Sequence, residues 1–275
     1  MTRNRSIPAQ IAATAAAWIA GVVVAFPILW MALTSFKSEV EAINPSPHLL
    51  FAPTLDNYRA VLSDGDYLGA AWNSLVVAGA STAVALLVAI PAAWAMAFFP
   101  TSRTRGLLLW MLSTKMMPAA AILMPIYFIL RDVRLLDTRL GLGILLATGA
   151  LPLAVWMLVS YFRDLPREVL EAARIDGAGA FDEIVRVLAP MAAPAIASTY
   201  LLNFLLAWNE SFWSLNVTSI DAAPLTAFIA AFSAPHGLFW AKLSAASSLA
   251  VGPALILGWL CQRQLVRGLT FGAMK

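Results

Sequence analysis

Residues 164–194 read Asp-Leu-Pro-Arg-Glu-Val-Leu-Glu-Ala-Ala-Arg-Ile-Asp-Gly-Ala-Gly-Ala-Phe-Asp-Glu-Ile-Val-Arg-Val-Leu-Ala-Pro-Met-Ala-Ala-Pro and form the one long polar island between two very apolar stretches. Pro166 suits the first turn of a helix and Asp164 is placed to cap that turn, while Gly177 is a typical helix stop. A second short helix is expected from about Phe181 to Leu188. The island therefore predicts two short helices joined by a turn at Gly177.

The charges and small residues of the island indicate its exposed faces. The second helix is expected to end before Pro190. Ala172 and Ala173 fall on one side with Val169, and their small side chains leave room for another backbone or a groove wall to come close. Opposite charges four residues apart would share a solvated face, although such pairs are individually weak. Two pairs have this spacing, Arg167 with Glu171 and Asp182 with Arg186.

The composition of the whole chain is that of a membrane protein. Hydrophobic residues make up 61% of the 275 residues, charged residues only 12%, and the mean hydropathy is +0.79. The net charge of +3 is spread over short loops without a basic face, which argues against nucleic acid as a partner. The single cysteine excludes an intrachain disulfide and a cysteine zinc cluster. The bilayer is therefore the expected solvent of most of the chain.

A helix needs about 20 apolar residues to cross the hydrocarbon core, and the sequence contains six such stretches. We expect kinks rather than breaks at the prolines inside them, because neighbouring helices can satisfy the carbonyls that proline leaves unbonded. These prolines are Pro27, Pro91, Pro118, Pro125 and Pro152. The six stretches run roughly over Ile11–Phe36, Ala70–Phe98, Leu107–Leu130, Leu140–Tyr161, Ala192–Trp213 and Leu243–Leu260.

The basic residues set the expected orientation, since cytoplasmic loops carry an excess of Lys and Arg. With the N-terminus inside, eleven basic residues fall in cytoplasmic segments and six in outer segments. Both termini and the polar island are therefore expected in the cytoplasm. The apolar segment Leu225–Ser233 is only about half a span long, so we expect an interfacial or re-entrant helix there on the outer side.

The sequence contains none of the common motifs that would give the chain a catalytic role. It has no Gly-x-x-x-x-Gly-Lys-Ser/Thr loop for ATP, no Gly-x-Ser-x-Gly and no His-Glu-x-x-His. The expected spans also hold almost no His, Asp or Glu of the kind that an intramembrane protease gathers. We therefore predict that the chain is not an enzyme and binds no cofactor or metal itself.

Lys115 and Glu210 are the charged residues inside the expected spans, joined by Asn73, Asn203 and Asn209. An ionisable group at depth is costly in hydrocarbon, so it usually faces a water-filled cavity or a partner. For Lys115 we favour a cavity or subunit interface. For Glu210 a contact at the membrane interface explains the residue as well as a cavity or a partner does. A direct ion pair between Lys115 and Glu210 is not expected, because the two lie at different depths of straight helices. The candidates for a translocation path or gate are Lys115, Asn203, Asn209 and Glu210.

The spacing of Glu171-Ala172-Ala173, Gly177, Val187 and Pro190 resembles the Glu-Ala-Ala loop of membrane subunits of bacterial ATP-binding-cassette importers. In that family the loop forms a cytoplasmic helix-turn-helix that docks into a cleft on the ATPase subunit. This sequence departs from the pattern at Val187, where isoleucine is usual, and at Ala189, where leucine is common. The resemblance implies an ATPase-coupling surface formed by Glu168, Glu171, Ala172, Ala173, Asp176, Gly177 and Pro190.

Further motifs are similar to carbohydrate-importer permeases of the maltose-permease G type, and the likeness covers nearly the whole chain. These motifs are Leu135–Gly141, Ala207–Glu210 and the tail at 262–275. Ser113–Pro118 and Phe212–Asn216 look more like the branch that imports mannitol and sorbitol. The resemblance also implies that the tail reaches the ATPase dimer interface as an extended backbone, with contacts at Gly268, Thr270 and Gly272.

The resemblance implies an all-α, polytopic fold with six transmembrane helices and the type I (MetI-like) importer architecture. It describes one permease domain over 1–275, with core helices at about 67–265, the coupling loop at 164–194 and the tail at 262–275. The implied partners are a second homologous permease, two ATP-binding-cassette ATPase subunits and a periplasmic substrate-binding protein. ATP and magnesium would bind to the ATPase subunits, and the complex would lie in the bacterial inner membrane.

Two other classes stay open on the sequence alone. A secondary transporter would couple to an ion gradient through charged or broken-helix sites and often shows two similar halves, and the sequence indicates neither. A membrane scaffold could also have six spans and a docking loop. Within the importer class the expected cargo is mannitol or sorbitol, with another sugar or an oligosaccharide as the alternative.

Overall fold

The computed structural model of the chain describes residues 7–44, 49–63, 66–233 and 239–270, with side chains described between 10 and 259 of these ranges. The described residues form helices and no strand, which confirms the predicted all-α class. The α-helices are α1 (Ile7–Thr34), α2 (Glu39–Ile43), α3 (Asp56–Ser63), α4 (Tyr67–Phe98), α5 (Thr104–Thr114), α6 (Ala119–Asp132), α7 (Arg139–Phe162), α8 (Arg167–Ile175), α9 (Ala180–Asp182), α10 (Ala189–Met191), α11 (Ala193–Trp208), α12 (Phe212–Val217), α13 (Leu225–Ala230) and α14 (Trp240–Thr270), with a π-helical turn at Glu183–Leu188 and a 3-10 turn at Ala231–Ser233.

Four of the described helices are long and apolar enough to cross a membrane, namely most of α1, α4, α7 and the first part of α14. They coincide with the first, second, fourth and sixth predicted spans. The other two predicted spans belong to helix pairs that bend sharply at a short break. By length and composition, the described residues therefore contain four candidate spans, or up to six if each bent pair is one span. The bent pairs are α5 with α6, bent by 88°, and Ala180–Met191 with α11, bent by 82°.

The break between α5 and α6 shows that the expectation of a mere kink at Pro118 is wrong. α5 ends at Thr114, and Pro118 is the extended N-cap residue of α6, with φ −61° and ψ 124°. Proline offers no N–H and disfavours helical backbone in the residue before it, so the chain leaves the helix over 115–117 and restarts after Pro118. The other four prolines lie inside helices, as expected: Pro27, Pro91, Pro125 and Pro152.

The fifth predicted span also ends earlier than expected. α11 stops at Trp208, and a separate short helix, α12, begins at Phe212. The segment Leu225–Ser233 is helical as predicted, with α13 followed by the 3-10 turn. The position of this segment at the outer face of the membrane in which the chain lies stays a prediction.

The chain divides into two compact units, which we call unit 1 and unit 2. Unit 1 comprises the described parts of 1–67 together with 229–251, and unit 2 comprises 68–228 together with the described part of 252–275. The polar island and all four candidate path residues belong to unit 2.

In unit 2 the polar island is packed onto membrane helices by buried leucines. α7 packs against α5 and α11, and Phe162 near its end is fully buried in the main apolar cluster. Leu170 of α8 is 2% exposed and Leu188 is 0% exposed, and both belong to this cluster. Burying a leucine side chain contributes roughly 1.5–3 kcal/mol, so these two residues fix the island to the ends of α4 and α7.

In unit 1 the helix α1 is apolar and exposed over most of its length, as Trp18 and Val24 show with 73% and 74% exposure, whereas its last turn is half-buried or buried. The region after α1 is held by polar contacts. Asn57 of α3 donates hydrogen bonds to the carbonyls of Ser35 and Lys37 at 2.9 and 2.7 Å. The carboxylate of Glu39 accepts bonds from the backbone N–H groups of the first turn of α14, at residues 241 and 242 and 3.0 Å each.

Candidate coupling surface and membrane cavity

The turn after α8 has the geometry of a Schellman motif. Gly177 has φ +88°, its N–H donates to the carbonyl of Arg174 at 3.0 Å, and the N–H of Ala178 donates to the carbonyl of Ala173 at 2.9 Å. Only glycine adopts this positive φ without strain. The predicted helix stop at Gly177 is therefore confirmed.

The tip of the polar island projects two large apolar side chains. Ile175 is 87% exposed and Phe181 is 76% exposed, one on each side of the Gly177 turn. Such a pair rimmed by charged residues is typical of a surface that docks into another protein. Six members of the predicted coupling set are exposed and Ala173 is half-buried; the exposed six are Glu168, Glu171, Ala172, Asp176, Gly177 and Pro190.

A buried ionic cluster behind the tip joins the island to α4. Glu183 is 2% exposed and accepts two hydrogen bonds from the Arg174 guanidinium, at 2.7 and 2.8 Å. The indole N–H of Trp94 donates to the same carboxylate at 2.6 Å. The guanidinium also lies 4.7 Å from the ring centroid of Phe99, which itself packs edge-on against Trp94. Neither Glu183 nor Trp94 belongs to the predicted set, and this cluster is the main feature that sequence reasoning missed.

The Glu183 carboxyl is held in its ionised form. The hydrogen bonds from Arg174 lower its pKa, burial opposes that shift, and the bond from Trp94 lowers the pKa further, so the net direction is downward. The same contact raises the pKa of Arg174. Both charges therefore persist at neutral pH and the bidentate bond stays intact.

Two local predictions for the island are wrong. Asp164 is not the N-cap residue of α8, because Pro166 occupies that position. The second helix does not end before Pro190 but continues to Met191, and its middle, Glu183–Leu188, is π-helical. A π turn shifts the bonding pattern to residues five apart, as between the Ala189 N–H and the Ile184 carbonyl. This shift lets the helix continue past a proline that lacks an N–H.

Of the two ion pairs expected on the island, one forms. Asp182 and Arg186 lie 3.1 Å apart on an exposed face. Arg167 and Glu171, both of which the structure describes, form no ion pair. Exposed pairs contribute little to stability, so neither outcome alters the packing of the island.

Three of the four candidate path residues line one cavity of about 160 Å³ in unit 2. Lys115 reaches it from the break after α5, Asn203 from the middle of α11, and Glu210 from the segment between α11 and α12. The indole-bearing residue Trp213 forms part of the same wall. The break in the α5–α6 pair thus brings together polar residues from three parts of the chain.

Lys115 is placed by the end of α5. It is the C-cap residue, where the carbonyl end of the helix dipole favours a positive charge, and its Nζ donates to the carbonyl of Gly149 on α7 at 2.7 Å. An ammonium has three N–H donors, so two remain for water or a ligand in the cavity. No ion pair joins Lys115 and Glu210 in the described structure, in agreement with the prediction.

Glu210 has a local structural role that the sequence did not indicate. Its carboxylate accepts bonds from the backbone N–H groups of Trp213 and Ser214, at 2.8 and 3.1 Å, and so caps the first turn of α12. Asn203 is 1% exposed and its Oδ1 is buried without a hydrogen-bond partner among the described residues. Asn209 is exposed and donates back to the carbonyl of Leu205, so it does not line the cavity.

A second polar cluster lies in the connection between α6 and α7. Asp137 has φ +52°, and its carboxylate accepts five hydrogen bonds of 2.8–3.2 Å from the loop at 219–222: four backbone N–H groups and the Ser219 hydroxyl. Beside it, Asn73 of α4 donates to the carbonyls of Asp221 and Ala223 and accepts a bond from Arg139. The loop between α12 and α13 is therefore fastened to α4 and α7.

The structure tests only part of the prediction for the C-terminal tail. Gly268 and Thr270 lie in α14, which runs to Thr270, so the backbone there is helical and not extended. Gly272 lies outside the described residues. A contact of the tail with an ATPase stays a prediction.

The sequence of the chain matches the family described as "Binding-protein-dependent transport system inner membrane component" over residues 89–267. It is 36% identical over 224 residues to a putative ABC transporter permease protein of Streptomyces antibioticus, covering 81% of this chain and 98% of the relative. It is 31% identical over 258 residues to a trehalose/maltose transport system permease protein of Thermococcus litoralis, covering 92% of each chain.

A solved structure has a similar fold. It belongs to a bacterial ABC transporter involved in the import of the acidic polysaccharide alginate, and it superposes with a TM-score of 0.75 at 22% identity. The match covers 95% of this chain and 99% of that chain. At this identity the likeness concerns the fold alone.

Proposed function

The chain belongs to the family of binding-protein-dependent transport system inner membrane components, and from this premise we propose that it is the permease subunit of an ATP-binding-cassette importer for sugars or sugar alcohols. The observation that carries the proposal is the projecting tip at Gly177, with its exposed apolar pair Ile175 and Phe181. The two side chains flank a turn in a polar segment, where an apolar surface marks a contact with another protein better than it marks a contact with lipid. They fit a cleft on an ATPase partner.

The proposal includes the assembly and the orientation. A second permease completes the translocation path, two ATPase subunits bind ATP and magnesium, and a substrate-binding protein delivers cargo outside. The polar island, with Glu168, Glu171, Ala172, Ala173, Asp176 and Pro190 around its tip, faces the cytoplasm, as do both termini. Lys115, Asn203 and Glu210 line this chain's part of the path, and the tail at Gly268, Thr270 and Gly272 contacts the ATPase.

The cargo class rests on the relatives and on the cavity. One relative, 32% identical, is the sulfoquinovosyl glycerol transport system permease protein of Agrobacterium fabrum, and the relative from Thermococcus litoralis is named for trehalose and maltose. These names support sugars. Mannitol or sorbitol rests only on the resemblance of Ser113–Pro118 and Phe212–Asn216 to the polyol branch. Uptake by the reconstituted complex, measured with mannitol, sorbitol, trehalose, maltose and a neutral amino acid, tests the class. Uptake of the amino acid in place of every sugar and polyol would contradict it.

The broken helices bear on the alternative that the chain is a secondary transporter. Discontinuous helices at a polar site also occur in secondary transporters, so the expectation that this chain has none is wrong. Membership of a binding-protein-dependent family nevertheless favours an importer driven by ATP. Uptake that persists without ATP but follows an ion gradient would support the alternative.

Replacing Gly177 by valine is expected to uncouple ATP hydrolysis from transport. No atom lies within 4 Å of an added Cβ, so the cost comes from the left-handed backbone, roughly 1–2 kcal/mol and more for a β-branched residue. Relief of that strain redirects the second helix and moves Phe181. The measurement is ATPase co-purification with the variant together with uptake. Gly179→Ala is the matched control, because Gly179 has φ −76° and also has free space around it.

Replacing Lys115 by methionine is expected to reduce uptake roughly tenfold or more while assembly stays normal, because a hydrogen bond from a charged donor contributes about 1.5–3 kcal/mol. The variant keeps the length of the side chain and loses the bond to Gly149 and the two donors in the cavity. Glu210→Gln is expected to have a smaller effect, because the amide oxygen can still accept from α12. Normal uptake by the Lys115 variant would show that this residue does not belong to the translocation path.

A further inference from the structure

Unit 1 contains a separate cavity of about 550 Å³. It is bounded by the last turns of α1, by α2 and by the first two turns of α14, and none of the residues assigned to coupling or to the path lines it. Pockets for small ligands have volumes of roughly 300–1,000 Å³. The cavity therefore has room for a ligand of the size of a sugar.

Lys37 is the buried charge of this cavity. It lines the cavity and is only 3% exposed, and its Nζ lies 4.6 Å from the ring centroid of Trp30 and 5.2 Å from that of Phe51. Among the described residues the Nζ has no carboxylate partner and donates no hydrogen bond. Cation–π contacts offset only part of the cost of burying an ammonium. The ammonium therefore lacks oxygen acceptors, which an occupant of the cavity would supply.

The other polar groups decide what kind of occupant fits. Ser244 of α14 is 8% exposed, lines the cavity, and its hydroxyl has no hydrogen-bond partner in the described part of the chain; Ser247 lines the same wall one turn later. Glu41 also lines the cavity, and its carboxylate already accepts bonds from the N–H and hydroxyl of Ser38 at 3.1 and 3.0 Å. A carboxylate in the lining of the cavity disfavours an anionic occupant, because it repels a second negative charge.

An aromatic ring completes the lining. Trp240 at the start of α14 is 43% exposed and lines the cavity. The apolar face of an indole packs against the C–H groups of a ligand, and aromatic walls with a few polar groups are typical of small-molecule sites. Donors, an acceptor and an apolar ring together match a neutral molecule that carries many hydroxyl groups.

We propose that the cavity of Lys37, Glu41, Trp240 and Ser244 is a binding site for a sugar or a sugar alcohol on the outer side of the membrane. Lys37 and Ser244 donate to hydroxyl oxygens of the ligand, Glu41 accepts from its hydroxyl groups, and Trp240 packs against its carbon skeleton. The side of the membrane and the ligand class rest on the proposed function. A lipid phosphate would accept hydrogen bonds from Lys37, but the negative charge of Glu41 would repel it.

The test uses the assembled importer in lipid nanodiscs. This chain carries Ser247→Cys and Cys261→Ser, its partner subunits contain no cysteine, and the rate of labelling by N-ethylmaleimide is measured with trehalose, mannitol or glycerol. Ser247 lines the cavity but is assigned no bond to the ligand. At about ten times the dissociation constant the site is about 90% occupied, so labelling is expected to slow roughly tenfold with trehalose or mannitol. Glycerol, which is too small to fill the cavity, should leave the rate unchanged. Leu243→Cys, at another lining residue, repeats the measurement in case the first variant fails to assemble.

A second arm tests the ammonium. Lys37→Met is expected to raise the sugar concentration needed for protection roughly tenfold or more, since a charged donor is lost. Lys242→Met is the matched control, because Lys242 packs over the Phe239 ring and does not line the cavity. Equal protection in the Lys37 and Lys242 variants would overturn the role of the ammonium.

The outcomes separate this site from the proposed function. An importer that takes up a sugar without any sugar protecting the thiol overturns the site and leaves the function standing. Protection without uptake supports the site and contradicts the function. Protection that depends on the phosphatidylglycerol content of the nanodisc, and not on sugar, identifies a lipid site and overturns the proposal.

Discussion

Replacing Glu183 by alanine is expected to reduce coupled transport strongly although the chain still inserts. The substitution leaves the Arg174 guanidinium and the Trp94 indole N–H without their acceptor. The surviving charge of Arg174 is not buried, because 36% of its side chain is accessible, so the cost is that of the lost charge-assisted hydrogen bonds, about 1.5–3 kcal/mol. A loss of this size is comparable to what burying Leu170 contributes, roughly 1.5–3 kcal/mol, so we expect the contact of α8 with α4 to loosen and uptake to fall roughly tenfold to a hundredfold.

The measurement compares insertion, ATPase co-purification and uptake. Normal membrane abundance with loss of both other quantities is the expected result. Asp182→Ala is the matched control, because its pair with Arg186 is exposed, with 77% of the Arg186 side chain accessible. Glu183→Gln should give an intermediate result, since the amide keeps one acceptor oxygen. Full ATPase binding by the alanine variant would show that Leu170 and Leu188 hold the island without the ion pair.

The pH dependence of this contact follows from the direction of the shift. The pKa of Glu183 is lower in the folded chain than in the unfolded chain, where it is about 4.3. The stabilisation is therefore fully present above that value and is lost as the pH falls through the lower folded pKa. Between pH 5 and 7 the wild-type coupling contact should not change.

The sequence was sufficient to predict the turn of the coupling surface but not its support. Gly177 follows a helix pattern at a position where only one residue type tolerates the backbone, and such a signal is local. Glu183 and Trp94 are 89 positions apart, and their contact exists only because α4 and the island pack together. A glutamate within a polar island is ordinarily solvated, so no local signal marks this one as buried.

The path residues, too, could be predicted from the sequence only in part. Charges within apolar stretches are costly, which marks Lys115 and Glu210 from the sequence alone. The break at 115–117 and the separate helix α12 depend on how the backbone leaves the helix near Pro118 and Trp208. The shared cavity and the cap that Glu210 provides to α12 both require the chain to change direction at these breaks. Because the sequence does not indicate the breaks, neither feature could be predicted from it.

Replacing Asp137 by alanine is expected to release the loop at 219–222. Alanine removes the acceptor of five hydrogen bonds and must adopt φ +52°, a left-handed conformation that aspartate tolerates better than alanine does. The loop is partly exposed, so water replaces part of the lost bonding. We expect a local loss of about 2–3 kcal/mol, from the strain and from charge-assisted bonds to several N–H groups.

Hydrogen exchange of the purified complex measures this loss directly. The amides of Ser219, Ile220, Asp221 and Ala222 lose their acceptor, and about 2–3 kcal/mol corresponds to exchange that is roughly 30- to 150-fold faster. Asp132→Ala is the matched control in the same connection, because its carboxylate pairs with Arg131 on the surface and the pair is well exposed. Faster exchange in both variants alike would mean that the whole connection has loosened and that Asp137 does not act on the loop specifically.

The protonation of Asp137 gives a second test of the same contact. Burial alone would raise the pKa of its carboxyl, but the hydrogen bonds from Ser219, Ile220 and Asp221 outweigh burial and hold the pKa well below its usual range. Since the folded pKa is the lower one, the stabilisation is complete above about pH 4, the unfolded value, and is lost only as the pH falls through the folded pKa. After correction for the intrinsic exchange rate, loop protection in the wild-type complex should be the same at pH 5 and pH 7. A decline over that interval would show that the bonds do not stabilise the ionised carboxylate as the geometry requires.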